Sequence, residues 1–101
     1  MHYLLMYDVV SDYLERRAAY RPEHIQLARE AVARGEMVLG GALAKPTDGV
    51  VFLFRGESPA AATAFATADP YVRHGIVTRW HVREWTTVVG PAAEVPLPPM
   101  S

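Results

Sequence analysis

Tyr20-Arg21-Pro22-Glu23-His24, running on through Ile25-Gln26-Leu27-Ala28-Arg29-Glu30-Ala31-Val32-Ala33-Arg34 to Gly35, sets the first secure helix of the chain and the order of what surrounds it. A proline in the first helical turn loses nothing, because its missing N–H would be unpaired there. From His24 an apolar stripe runs at helical spacing through Leu27, Ala28, Ala31 and Val32, and Gly35 supplies a C-terminal stop. The spacing predicts a helix over 22–34, with His24 in its first turn on or beside the buried face. That setting suits a neutral imidazole acting as base or hydrogen-bond partner, and equally an ordinary packed histidine.

Around this helix the strands fall into place. Tyr3 to Tyr7 is a continuous apolar run, as expected of a central strand covered on both faces. Residues 9–21 form a polar approach, partly helical over 13–19. Met37 to Leu43 reads as a second strand whose Gly40-Gly41 marks a bulge, a close approach or a simple bend. Lys45-Pro46-Thr47-Asp48-Gly49 is a hairpin turn, and Val50 to Arg55 the third strand. Ser58-Pro59 opens an alanine-rich second helix that Asp69-Pro70 ends, since proline cannot continue the ladder. Ile76 to Val88 is the last strand. The order strand, helix, strand, strand, helix, strand predicts an α+β, ferredoxin-like βαββαβ fold, an antiparallel sheet with two helices on one face. Its other face is left bare, so a homodimer through the open sheet face is expected. Residues 1–89 form the expected domain. The stretch 90–101, with Pro91, Pro96, Pro98 and Pro99 and no periodicity, is an expected extended or disordered tail.

Composition narrows the function. A chain of 101 residues is one domain, and with half its residues apolar it has more to bury than a small monomer easily hides. A net charge of -1, with arginines scattered among acids, argues against a nucleic-acid partner. No apolar run approaches the roughly 20 residues of a membrane span, and Met1-His2-Tyr3 begins a strand rather than a basic leader, so a cytoplasmic location is expected. Without cysteine there is no thiol nucleophile or thiolate metal site. The four histidines form no close helical ligand pair, and neither a phosphate-cradling loop nor a nucleophile elbow is present; no metal and no cofactor is expected.

The motifs carry a resemblance. Arg17, Arg21-Pro22-Glu23-His24, Gly35, Gly40-Gly41, Ala68-Asp69-Pro70-Tyr71 with Gly75, and the stretch from Val82 to Trp85 are similar to the YCII-related (YciI-like) family over roughly residues 1–88. That family is similar to the dimeric α+β barrel proteins, so the resemblance implies a sheet of that barrel type. It also implies a histidine–aspartate pair in a pocket, here His24 and Asp69. Some relatives eliminate halide from hydroxylated aromatic rings. Members often carry Gly-Pro where this chain has Gly40-Gly41.

Were the pair formed, the carboxylate would fix the imidazole tautomer, and His24 would serve as general base or acid. Arg17 and Arg21 are candidate clamps for a carboxylate, phosphate or phenolate. Tyr71 could offer its hydroxyl or ring to an aromatic ligand, and Tyr7 and Asp8 are weaker candidates of the same kind. The expected function is a small cofactor-independent enzyme, lyase- or isomerase-like, moving a proton on a small anionic or phenolic substrate. The alternative is a non-catalytic module that binds a small ligand or a partner.

Overall fold

A computed structural model describes residues 1–98; the last three residues of the expected tail lie outside it. In chain order the elements are β1 (His2–Val9), α1 (Tyr13–Arg16), a 3-10 turn (Arg17–Ala19), α2 (Arg21–Ala33), β2 (Met37–Ala42), β3 (Gly49–Arg55), α3 (Ala60–Ala68), α4 (Pro70–Arg73) and β4 (Val77–Trp85). The strands form one antiparallel sheet in the order β2-β3-β1-β4.

Strand alternation sorts the side chains. Tyr3, Leu5 and Tyr7 of β1 stand opposite Phe54, Phe52 and Val50 of β3, and all six are buried on the face the helices cover. There they pack with Ala31 of α2, Ala62, Phe65 and Ala66 of α3, and Tyr71 of α4. The opposite face presents Leu4, Met6, Val51 and Leu53, each only half-buried, with Leu39 and Trp85 exposed at its margins. The bulge in β2 falls between Met37 and Leu39, one turn of the pleat before the glycine pair. Gly40 is a close approach instead: a Cβ there would sit 2.6 Å from the Phe52 ring.

Three expectations are corrected. The ferredoxin-like sheet of the dimeric barrel type is not what the chain forms: β2 and β4 are free edges and the sheet is not closed. Closure needs enough strands, tilted and staggered, for the last to meet the first, and four twisted strands leave their edges apart. Nor are there two helices only. Tyr13–Arg16 falls within the helical stretch expected at 13–19, but Pro70–Arg73 is a further short helix, created because Pro70 interrupts the helical ladder after Ala68. The last strand also ends at Trp85, because Thr87 and Val88 turn to receive the following segment: Val95 N–H donates to Thr87 O at 3.0 Å and Leu97 N–H to Val88 O at 3.1 Å.

Candidate active site

The site grows from two helix starts. Pro22 sits in the first turn of α2, and His24 follows with its N–H donating to Tyr20 O at 3.0 Å. This places the imidazole one turn into the helix on its inward side, 7 % exposed. The second start comes from Asp69-Pro70. Asp69 takes extended backbone between α3 and α4, and its Oδ1 accepts the Tyr71 N–H at 3.0 Å, capping α4. The same turn drives the carboxylate inward until it is fully buried.

There the two helices meet. His24 Nδ1 lies 2.9 Å from both Asp69 oxygens. Tyr7 of β1 completes the shell, its hydroxyl donating to Oδ2 at 2.7 Å. A buried carboxylate is tolerated only when it is paired and hydrogen-bonded, and Asp69 has three donors from three elements. Because the carboxylate accepts, Nδ1 carries the proton of the neutral ring, which leaves the Nε2 lone pair for another partner. Nε2 bonds to no described residue, and the His24 ring borders a cavity of about 350 Å³. Tyr71 stacks on the imidazole with centroids 3.9 Å apart and planes 8° apart, while the Phe52 and Phe65 rings stand at 6.0 and 6.1 Å. The ring can therefore neither tilt nor swing.

The tyrosines have distinct states. Burial, then the charge and hydrogen bond of Asp69, push the Tyr7 phenol well above its ordinary range, so it remains a donor. Burial raises Tyr71 to about 12, helped by Tyr13 and only partly countered by Arg21 and Arg17. The Tyr71 hydroxyl is buried without a hydrogen-bond partner among the described residues.

The expected residues divide by placement. His24, Arg17, Arg21 and Tyr71 all line the cavity; Asp69 and Tyr7 stand behind His24 and do not. Asp8 is exposed on the opposite side of β1 from Tyr7. Arg17 Nη1 reaches the Tyr13 hydroxyl at 3.5 Å, and its guanidinium lies 5.1 Å from that ring. Sequence reasoning missed Tyr13, Ile25, Arg29 and Met37 as cavity walls. Arg21, Ile25 and Arg29 recur at four-residue intervals along one flank of the helix, next to Ala28 and Val32 of the core stripe, and that spacing was the available signal. Among the described residues no group of three or more His, Cys, Asp or Glu side chains could hold a metal ion, and no helix is long and apolar enough to cross a membrane.

Comparison with known proteins places this arrangement. Residues 1–86 match the YCII-related domain. The chain belongs to the YCII-related family. No curated protein matches it significantly. Among solved structures, this YCII-related chain is similar to 5-chloro-2-hydroxyhydroquinone dehydrochlorinase (TftG) from Burkholderia phenoliruptrix AC1100, in complex with 2,5-dihydroxybenzoquinone. The TM-score is 0.71 at 19 % sequence identity, over 86 % of this chain and 95 % of that one. The likeness is one of fold.

Proposed function

We propose that this YCII-related protein is a small enzyme that uses His24 to move a proton on a small anionic or phenolic substrate. One observation carries the reading: a buried imidazole, bidentate to a buried carboxylate through Nδ1, leaves Nε2 without a described partner on a ring that borders the cavity. In the reaction Nε2 takes a proton from an O–H or C–H of the substrate, and the bonding pair stays on the substrate. That pair then expels a leaving group with its electrons (elimination) or returns to a proton at another atom (isomerisation). Asp69 stabilises the imidazolium that forms, and Arg17 and Arg21 meet the negative charge left on the substrate. The dehydrochlorinase of similar fold makes elimination from a hydroxylated ring the first chemistry to test.

Chloride release from 5-chloro-2-hydroxyhydroquinone is the direct assay. The native protein is expected to release chloride faster than buffer, and His24→Ala to lose about a hundredfold or more of that rate. Equal rates in the two proteins would sink the catalytic role. A second reading rests on Asp69 itself, whose three bonds tie α2, β1 and α4 together whatever the ring does. On that reading the cavity binds a ligand without changing it, and 2,5-dihydroxybenzoquinone would raise the melting temperature with no product formed.

The bare sheet face, with Leu4, Met6, Val51 and Leu53 beside exposed Leu39 and Trp85, is the surface on which a second copy would dock in a cytoplasmic homodimer. Sedimentation of Leu53→Arg tests this: the native protein should run as a dimer and the variant as a monomer.

A further inference from the structure

The cavity beside His24 carries more positive charge than a single acidic group needs. Arg17, Arg21 and Arg29 all line it, and among the described residues no aspartate or glutamate does. Glu23, the acid closest to Arg21 in sequence, is turned outward and bound to Arg73. Arg17, in the 3-10 turn, and Arg21, at the start of α2, both put like charge on the wall of this one cavity. The residues three and four places from Arg29 on either side are Ile25, Gln26, Val32 and Ala33, so none neutralises it. No described carboxylate forms an ion pair with any of the three guanidinium groups.

A second unfinished group stands at the His24 end. Tyr71 is 1 % exposed, lines the same cavity, and holds a hydroxyl with no partner among the described residues. Burial keeps that phenol protonated, so it is a donor in need of an acceptor. From Arg21 to Arg29 the helix advances eight residues, or about 12 Å at its ordinary rise. The wall between them is apolar: Ile25 and Ala28 on α2, and Gly40 and Gly41 on β2. Gly41 has nothing within 4 Å of where its Cβ would lie, so this wall stays open.

We infer that the cavity takes an elongated small molecule with two acidic groups, one held by Arg17, Arg21 and the Tyr71 hydroxyl beside His24, the other by Arg29, joined by an apolar spacer. The inference rests on the cavity being the substrate site of His24 and adds the class of substrate. Two charged anchors joined by an apolar wall select both length and charge, whereas one anchor selects charge alone.

The test is calorimetric titration of the full chain with adipate, suberate and sebacate against hexanoate, octanoate and decanoate. At least one diacid is expected to bind about tenfold tighter than the monoacid of equal length, the gain of one charge-assisted contact. Arg29→Gln should erase that preference. Arg29 is exposed and has no ion-pair partner among the described residues, so the variant is expected to keep the native melting temperature. His24→Gln should retain the preference, because the arginines create it. Equal affinity for diacid and monoacid, no binding of either, or a preference that survives Arg29→Gln would each overturn the inference. Failure of the catalytic reading looks different: the diacid preference stands while chloride release ignores His24→Ala.

Discussion

His24 and His2 are both buried, both stand against a carboxylate and both border a cavity, yet they are built for different work. His2, 4 % exposed, uses both nitrogens: Nδ1 lies 2.8 Å from Thr87 Oγ1 and Nε2 3.2 Å from Glu94 Oε1. Its carboxylate belongs to the segment after β4, is partly exposed, and also stands 3.7 Å from the N-terminal amine. His24 uses one nitrogen, against a carboxylate that no solvent reaches. Burial and a carboxylate neighbour are therefore not what mark a reactive histidine. The marks are a nitrogen left over and a partner that cannot move.

The sharpest way to break this comparison is to neutralise each carboxylate. Asp69→Asn leaves the donors of Tyr7, Tyr71 and His24 short of acceptors in a dry interior, and is expected to cost about 3–5 kcal/mol. Glu94→Gln weakens a partly exposed contact and is expected to cost less than about 1 kcal/mol. Urea midpoints, read with unchanged slopes, measure both. Equal losses would mean that the two histidines are held alike.

How much of this difference was written in the chain depends on the residue. Pro22 marks a helix start and Pro70 a helix end in the sequence itself, because proline has few tolerated places, and the αβ order followed from hydrophobic periodicity; that Pro70 also opens α4 was not legible there. The contact between His24 and Asp69 bridges 45 positions and leaves no trace in spacing; only the family resemblance suggested it. Arg29 was not singled out, since a helix face does not announce which cavity it will border. The barrel was an overreach of a different kind, for strand order does not encode whether edges meet. The His2–Glu94 latch was equally invisible, because the bonds from Thr87 to Glu94 and Val95 belong to no periodic element.

A second test uses the tyrosines, which only the His24 side possesses. An unfolded tyrosine ionises near 10.0, whereas Tyr71 in the folded chain holds its proton to about 12, and Tyr7 is shifted in the same direction. Below the unfolded value both states keep the proton, and stability does not change on this account. Between the two values the unfolded chain releases it and the folded chain does not, so stability falls as pH rises. Tyr71 and Tyr7 both contribute to the loss, since burial raises each of them. Unfolding curves across that window should therefore slope downward, and replacing both tyrosines by phenylalanine should make them shallower, Tyr3, which burial shifts the same way, keeping part of the slope. Glu94→Gln should leave the slope as it was.

Single hydroxyls sharpen the contrast further. Tyr7→Phe removes one of three donors from a buried carboxylate, and about 2 kcal/mol of stability should go with it. Thr87→Val removes a part-buried neutral bond to His2 and is expected to cost about 1 kcal/mol. Thermal midpoints of the two variants, measured side by side, decide whether the Asp69 shell is the more tightly determined.

The smallest effect is the most telling, because its sign is opposite. Tyr71→Phe keeps the ring that stacks on His24 and deletes a hydroxyl that bonds to nothing described. A buried donor without a partner burdens the folded state, so its removal should stabilise the free protein by up to about 1 kcal/mol. The same change should weaken binding of an acidic ligand, since the phenol is one of the donors waiting for it. A residue whose loss helps the fold and harms the ligand has its partner outside the chain. If Tyr71→Phe instead destabilised the free protein by as much as Tyr7→Phe, its hydroxyl would be serving the fold, and the cavity would lose its buried donor.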